Sequence, residues 1–152
     1  MVTVEVAKKL LMTSIDVLMP VELRIENAVN CVLAEDIFSP IDMPPFHQSA
    51  MDGYAIKFKD RKTKLKIIGE IKAGDKRVIN ISNGEAVRIF TGAAVPPTSD
   101  CVVMQENTVE KNNVLFIENI PLKKNENIRL TGTHIKKRKL ALKKGAKLNP
   151  AA

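Results

Sequence analysis

The sequence predicts a mostly β protein of the α+β class. Three observations carry this: short apolar runs recur at close spacing from Tyr54 onward, Gly, Asn and Pro punctuate them, and a helical apolar period occurs only near the N-terminus. A chain of 152 residues can form one sizeable domain or two small ones and bury enough apolar surface to fold without disulfides.

Taken in order, residues 3–18 place Val4, Ala7, Leu10, Leu11, Ile15 and Leu18 at spacings of three and four, with Thr3 as N-cap and Pro20 as a stop, which predicts an amphipathic helix. Val21–Ile25 alternates as a strand. Glu26–Val29 reads as one helical turn ended by Asn30, which tolerates the left-handed conformation, and Cys31–Ala34 as a second strand. Tyr54–Phe58 and Leu65–Ile68 are strands separated by a solvated turn at Lys59–Lys62. Gly69–Asp75, bracketed by glycines, predicts a hairpin or bulged corner, with strands at Val78–Ile81 and Ala86–Phe90 after it. Val102–Glu106 reads as a buried strand, and Asn112-Asn113 and Lys124-Asn125 mark turns around the strand Val114–Ile117. The lysine-rich end alternates with Leu140, Leu142 and Leu148, as strands with exposed lysines would.

One stretch follows no secondary-structure period: Pro44-Pro45-Phe46-His47-Gln48-Ser49-Ala50-Met51-Asp52-Gly53-Tyr54-Ala55-Ile56. Its prolines stiffen an extended arm, Phe46 is its expected anchor, and Asp52-Gly53 is a bend at which glycine allows positive φ and the carboxylate is held. An Asp-Gly pair alone is a turn and nothing more. Thr91-Gly92-Ala93-Ala94-Val95-Pro96-Pro97 closes the strand ending at Phe90. Its hydroxyl and N–H groups can face an oxyanion, although Gly-plus-Pro loops are also plain turns.

Composition narrows the function. Cys31 and Cys101 lie far apart with no Cys-x-x-Cys or Cys/His spacing, so both read as small buried hydrophobes in a reducing, cytoplasmic setting, without zinc. No apolar run reaches membrane-spanning length. Net charge is +7 at pH 7, and residues 121–152 hold ten Lys or Arg against one acid, Glu126, so the excess is local. Clustered cations such as Lys136, Lys137, Arg138 and Lys139 suit phosphate neutralisation, but no Phe, Tyr or Trp lies beyond Phe116, so a stacking platform for single strands is missing. A solvated strand face is the expectation, with a basic nucleic-acid-binding domain as a competing one.

Residues 44–55 resemble throughout the signature of the MoeA family, the molybdopterin molybdenumtransferases related to the gephyrin E domain, which reads Pro-Pro-Phe, two variable residues, then Ser-Ala-Met-Asp-Gly-Tyr-Ala. Val32-Leu33-Ala34-Glu35-Asp36, Gly69-Glu70-Ile71-Lys72-Ala73-Gly74, Thr91-Gly92-Ala93 with its prolines, and Val102-Val103-Met104-Gln105-Glu106 are similar to further family strings. The resemblance implies a β-rich domain, residues 43–133, inserted into a small mixed domain made of residues 20–42 and 134–152, with residues 1–19 as the N-terminal helix. It covers only the N-terminal part of a family member, and so implies a truncated form lacking the MogA-like pterin-binding domain and the C-terminal β domain. Such a piece is expected to be inactive alone.

The implied reaction of the full-length enzyme takes adenylylated molybdopterin and molybdate, releases AMP and leaves molybdenum on the dithiolene, with Mg2+ taking part. The implied assembly is a homodimer in which this region faces the pterin domain of the other protomer across a shared cleft. Asp52 and Thr91 match family residues lining that cleft. An ionised Asp52 repels molybdate and phosphate alike, so it is expected to position magnesium or the attacking water. Thr91 and the Gly92 N–H are expected to donate to an anionic oxygen, and Ser49 to support them. His134 stands where the family carries an acid, and Leu130 and Thr131 where it carries basic residues, which leaves that part of the site doubtful. His47 sits at a variable position and is given no role. The alternative is a non-catalytic dimerising interaction module, as in gephyrin.

Overall fold

Six strands build the sheet that positions every residue of interest. In chain order the strands are β1 (Ile37–Phe38), β2 (Gln48–Ser49), β3 (Gly53–Ile56), β4 (Leu65–Ile71), β5 (Glu85–Ile89), β6 (Cys101–Met104), β7 (Thr108–Lys111), β8 (Val114–Ile117), β9 (Ile128–Arg129) and β10 (Leu140–Leu142). The one α-helix among the described residues, α1, spans Val4–Ser14. The computed structural model describes residues 2–16 and 18–151. The chain divides into two units, one of Met1–Ile37 with Leu142–Ala152, the other of Phe38–Ala141.

In the second unit the sheet order is β6-β3-β5-β4-β8-β7, antiparallel except for the parallel pair β4–β5. Period-two alternation sends side chains to two apolar clusters. Ala55, Val87, Ile89 and Val102 join Ile71, Ile81, Ala93 and Val95 in one, while Tyr54, Ile56, Ala86 and Val103 join Leu65, Cys101 and Leu115 in the other. β3 is buried along its whole length because both clusters need it. Each fully buried Ile, Leu or Val contributes about 1.5–3 kcal/mol of apolar burial, so these clusters are the main source of stability. A separate ribbon pairs β2 with β9, Gln48 opposite Arg129 and Ser49 opposite Ile128.

Gly53 departs from its expected part in a turn. It is buried, is the first residue of β3 and lacks a positive φ. The reason for glycine is the neighbouring strand: a Cβ at this position would sit 1.9 Å from the carbonyl oxygen of Val103. The bend precedes it, at Ala50–Asp52. Phe46 is likewise no anchor, being 43 % exposed; Pro44 and Ser49 are the buried residues of the arm. The Met43–Pro44 peptide bond is cis.

Val78–Ile81 is not a strand. A parallel pair cannot be joined by a tight turn, and residues 72–84 supply the long crossover from β4 to β5. Ile79 and Ile81 still pack on the core, while the Ile81 N–H donates to Thr98 Oγ1 at 2.7 Å instead of to a ladder. β4 continues through Gly69 to Ile71, and the expected irregularity is a register shift between Ile67 and Glu70. β6 ends at Met104, and Gln105–Asn107 is a 3-10 turn. β7 was not foreseen. The Asn112-Asn113 turn, with both φ positive, joins it to β8 as a tight hairpin.

In the other unit, Thr3 caps α1 by accepting the Val6 N–H at 3.3 Å, and no residue of the helix is buried. The helix ends well short of Pro20. The Thr13 hydroxyl donates back to the carbonyls of Lys9 and Leu10, each at 3.0 Å, and the β-branched Ile15 is extended. Leu18 is non-helical, and Val17, within the expected 3–18 span, lies outside the described residues, as do Met1 and Ala152. Val21–Ile25 is not a strand and leads into a 3-10 turn at Ile25–Asn27. Asn30 takes the left-handed conformation, φ 68°, as expected. Cys31–Ala34 makes a bridge, Val32 to Lys147, with the Leu33 N–H donating to the Ala146 carbonyl and the Leu148 N–H to the Cys31 carbonyl across the same two segments. Cys31 is half-buried; Cys101 is buried, which together with the nearby Asp100 carboxylate pushes its thiol up to about 12. No helix among the described residues is long and apolar enough to cross a membrane.

The two glycine roles are separable by experiment. Gly53→Ala is expected to cost about 3 kcal/mol or more, because backbone must move, whereas Gly74→Ala, with φ +83° and nothing within 4 Å of the new Cβ, is expected to cost about 1–2 kcal/mol. Urea unfolding of the two variants checks this; equal losses would contradict the close-approach explanation.

Candidate active site

The β3–β5 register brings two distant parts of the chain together. Gly53 lies opposite Ile89, so the residues just before β3 and just after β5, Asp52 and Thr91, leave the sheet at the same end. Asp52 Oδ1 accepts two hydrogen bonds, both at 2.8 Å, one from the Thr91 N–H and one from its hydroxyl. The Gln105 N–H donates to the Asp52 carbonyl at 3.1 Å, which ties the same residue to the end of β6. Oδ2 has no hydrogen-bond donor among the described residues.

The loop that presents Thr91 is stitched to the proline arm. The Gly92 N–H donates to the Ser49 carbonyl at 2.9 Å, the Ser49 N–H to the Ala93 carbonyl at 3.0 Å and the Val95 N–H to the His47 carbonyl at 2.9 Å. Gly92 has φ +83°, a conformation that a side chain would strain. The Ser49 side chain is wholly buried, and its hydroxyl donates to the Met51 carbonyl at 2.6 Å. All three sequence-selected donors are therefore already engaged within the fold: Thr91 with Asp52, Gly92 with Ser49, and Ser49 with Met51.

These bonds set the charge of the site. The backbone N–H of Thr91, and after it the Thr91 hydroxyl, hold the Asp52 carboxyl below the usual aspartate range; dehydration opposes them weakly, and the Arg88 guanidinium adds a smaller downward pull. At neutral pH this is a carboxylate with one oxygen clamped. It can accept a proton donor or a cation at the other oxygen, and it repels a bare anion.

Arg88 and Gln105 were not picked out from the sequence. Arg88 lies opposite Tyr54 in the β3–β5 ladder, with its guanidinium 5.0 Å from the Tyr54 ring and 5.3 Å from that of Phe90. Its Nη1 donates to the Tyr54 hydroxyl at 3.0 Å and its Nη2 to Gln105 Oε1; the Tyr54 hydroxyl donates in turn to Glu110 Oε2 at 2.8 Å. Burial and the Glu110 carboxylate raise the Tyr54 phenol above its ordinary value. A legible signal existed, because an arginine two residues after Ala86 on an apolar face needs partners. Arg88 and Phe90, with Glu70 and Glu110, also line an open depression of about 540 Å³ that Asp52 and Thr91 do not border.

The two histidines differ. His47 Nδ1 accepts the Thr131 N–H at 3.0 Å and is 2.9 Å from Thr131 Oγ1, tying the proline arm to the segment after β9. His134 is exposed; its backbone N–H donates to Met43, and its imidazole has no hydrogen-bond partner among the described residues. No group of three or more His, Cys, Asp or Glu side chains among the described residues is arranged to hold a metal ion. A magnesium ion keeps several waters and takes one or two carboxylates with substrate phosphates, so the free Asp52 Oδ2 fits a single-ligand contribution.

The sheet, the arm and the clamped carboxylate define a member of a known class: the chain belongs to the family described as MoeA N-terminal region (domain I and II), whose model matches residues 2–152. Its relatives include the molybdopterin molybdenumtransferase of Haemophilus influenzae, 39% identical over 133 residues, which are 86% of this chain and 33% of that protein. That of Staphylococcus aureus strain N315 is 39% identical over 139 residues, 87% of this chain and 33% of the other. The molybdopterin biosynthesis MoeA protein from Pyrococcus horikoshii OT3 superposes with a TM-score of 0.78 at 33% identity, over 85% of this chain and 36% of that one. The chain thus spans about a third of the length of these relatives.

Thr91→Val keeps the N–H and removes the hydroxyl, so the Asp52 carboxyl is expected to titrate at higher pH, read by 13C NMR of the carboxyl carbon. The linkage sign follows: the lowered carboxyl stabilises the fold above the unfolded aspartate value, and this is lost as pH falls through the folded one. The stability lost on acidification should therefore be smaller in the variant and complete at higher pH; an unmoved titration would mean that the hydroxyl does not hold the charge.

Proposed function

We propose that this chain is the N-terminal region of a molybdopterin molybdenumtransferase and supplies one wall of its active cleft, with Asp52 as the acting group. What supports the reading most is the clamped carboxylate, one oxygen fixed by both Thr91 donors and the other without a donor among the described residues. The substrates are adenylylated molybdopterin and molybdate, and the products are AMP and molybdenum-loaded pterin. The remaining walls come from a downstream MogA-like domain of a second protomer, so the working form is a homodimer and the 152 residues alone do not turn over.

The division of labour differs from the one the resemblance implies for each residue. Thr91 orients Asp52, and the donors of Gly92 and Ser49 hold the arm against the loop. Asp52 is left as the residue that meets the reactants. Its charge cannot face phosphate directly, so Oδ2 is placed to hold a hydrated magnesium ion or to accept a proton from the attacking water. When bound, the ion offsets phosphate charge and favours departure of AMP. His134 takes no part in this scheme.

The test uses the longer protein that contains this region with its downstream domains. Asp52→Asn preserves size and one acceptor but removes the charge. It is expected to fold and dimerise as the parent does while AMP release from adenylylated molybdopterin falls by at least about 100-fold. Parent-like turnover would remove Asp52 from the reaction, and a monomeric active enzyme would overturn the shared cleft.

A further inference from the structure

We propose that Arg88 is a positioning residue that keeps Asp52 and Thr91 within hydrogen-bonding distance by bracing both segments that carry them. The inference builds on the reading that Asp52 acts in the cleft, but its central test does not depend on turnover.

Two short routes lead from the guanidinium to the pair. Nη2 donates to Gln105 Oε1, and the Gln105 N–H donates to the Asp52 carbonyl at 3.1 Å. On the other side the guanidinium lies 5.3 Å from the Phe90 ring, and Phe90 is joined directly to Thr91. Nη1, bonded to the Tyr54 hydroxyl at 3.0 Å, fixes the group to β3 itself, two residues beyond Asp52. A planar fork with several donors can hold these positions at once; a lysine at the same place can supply the charge but not the fork. The Tyr54–Glu110 bond lies beyond this brace and serves Arg88 and Tyr54 without reaching Asp52.

Amide hydrogen exchange in the 15N-labelled chain separates a brace from a merely satisfied charge. Thr91 is an exposed residue whose amide donates to Asp52 Oδ1, so the protection of that amide reports the spacing of the pair directly. In Arg88→Met its exchange is expected to accelerate about tenfold or more, with an intermediate effect in Arg88→Lys, while the core amides of Ala55 and Val87 keep their parent rates. Gln105→Leu, which cuts the route on a half-buried residue, is expected to match Arg88→Met and stands in for it should that variant not fold. Glu110→Gln should leave Thr91 unchanged. Parent-like Thr91 exchange in a folded Arg88→Met or Gln105→Leu protein overturns the proposal. In the longer enzyme, Arg88→Met is expected to lower kcat by about 10- to 100-fold with little change in KM. An inert Asp52→Asn beside unaltered Thr91 exchange in Arg88→Met sinks the brace alone; an active Asp52→Asn beside accelerated exchange sinks the catalytic reading alone.

Discussion

Two hydrogen bonds from one threonine to one carboxylate oxygen govern the chemistry this fold can offer. They depend on strand pairing. Asp52 and Thr91 are 39 residues apart in sequence, and only the antiparallel register that sets Gly53 against Ile89 delivers them to the same end of the sheet. A slip of one residue would turn the Tyr54 side of β3 toward the Ala55 side and part the pair. The register is in turn locked by burial on both faces of β3 and by the backbone contact that leaves no room for a Cβ at Gly53.

The electrostatic consequence is a carboxylate whose two oxygens have different duties. Oδ1 is fixed by Thr91, which favours the ionised form; Oδ2 is left to whatever approaches. A half-buried carboxylate held in this way is stiff without being neutralised. That is unusual for an acid on a loop, where side-chain freedom normally blurs direction. The surrounding stitching extends the stiffness outward, through Gly92 to Ser49, Val95 to His47 and His47 to Thr131.

Much of the fold was legible because strands buried on both faces read as short apolar runs between turn residues: β5, β6 and β8 fall within a residue or two of where those runs put them. The failures have physical causes. Val78–Ile81 alternates because Ile79 and Ile81 pack on the core, yet it is a crossover whose N–H groups go elsewhere. Gly53 looked like a turn residue because Asp-Gly usually is one, whereas a close carbonyl on the next strand requires the glycine. β7 was missed because its residues are mostly exposed and its sequence carries little apolar signal. At the site, the motif pointed to Asp52 and Thr91, and the fold joins them. It could not tell that the donors of Thr91, Gly92 and Ser49 are engaged internally, since hydrogen-bond partners across a sheet are not written in local sequence. Arg88 left a trace, a charge on an apolar face.

The clamp itself can be observed without any substrate. A through-hydrogen-bond scalar coupling between the Thr91 amide nitrogen and the Asp52 carboxyl carbon, sought in the 15N,13C-labelled chain at neutral pH, reports whether that bond exists in solution. A resolved correlation is expected from the 2.8 Å bond. Its absence, together with a Thr91 amide that exchanges at the rate of an unprotected loop, would show that the carboxylate is free and that the site has no fixed geometry.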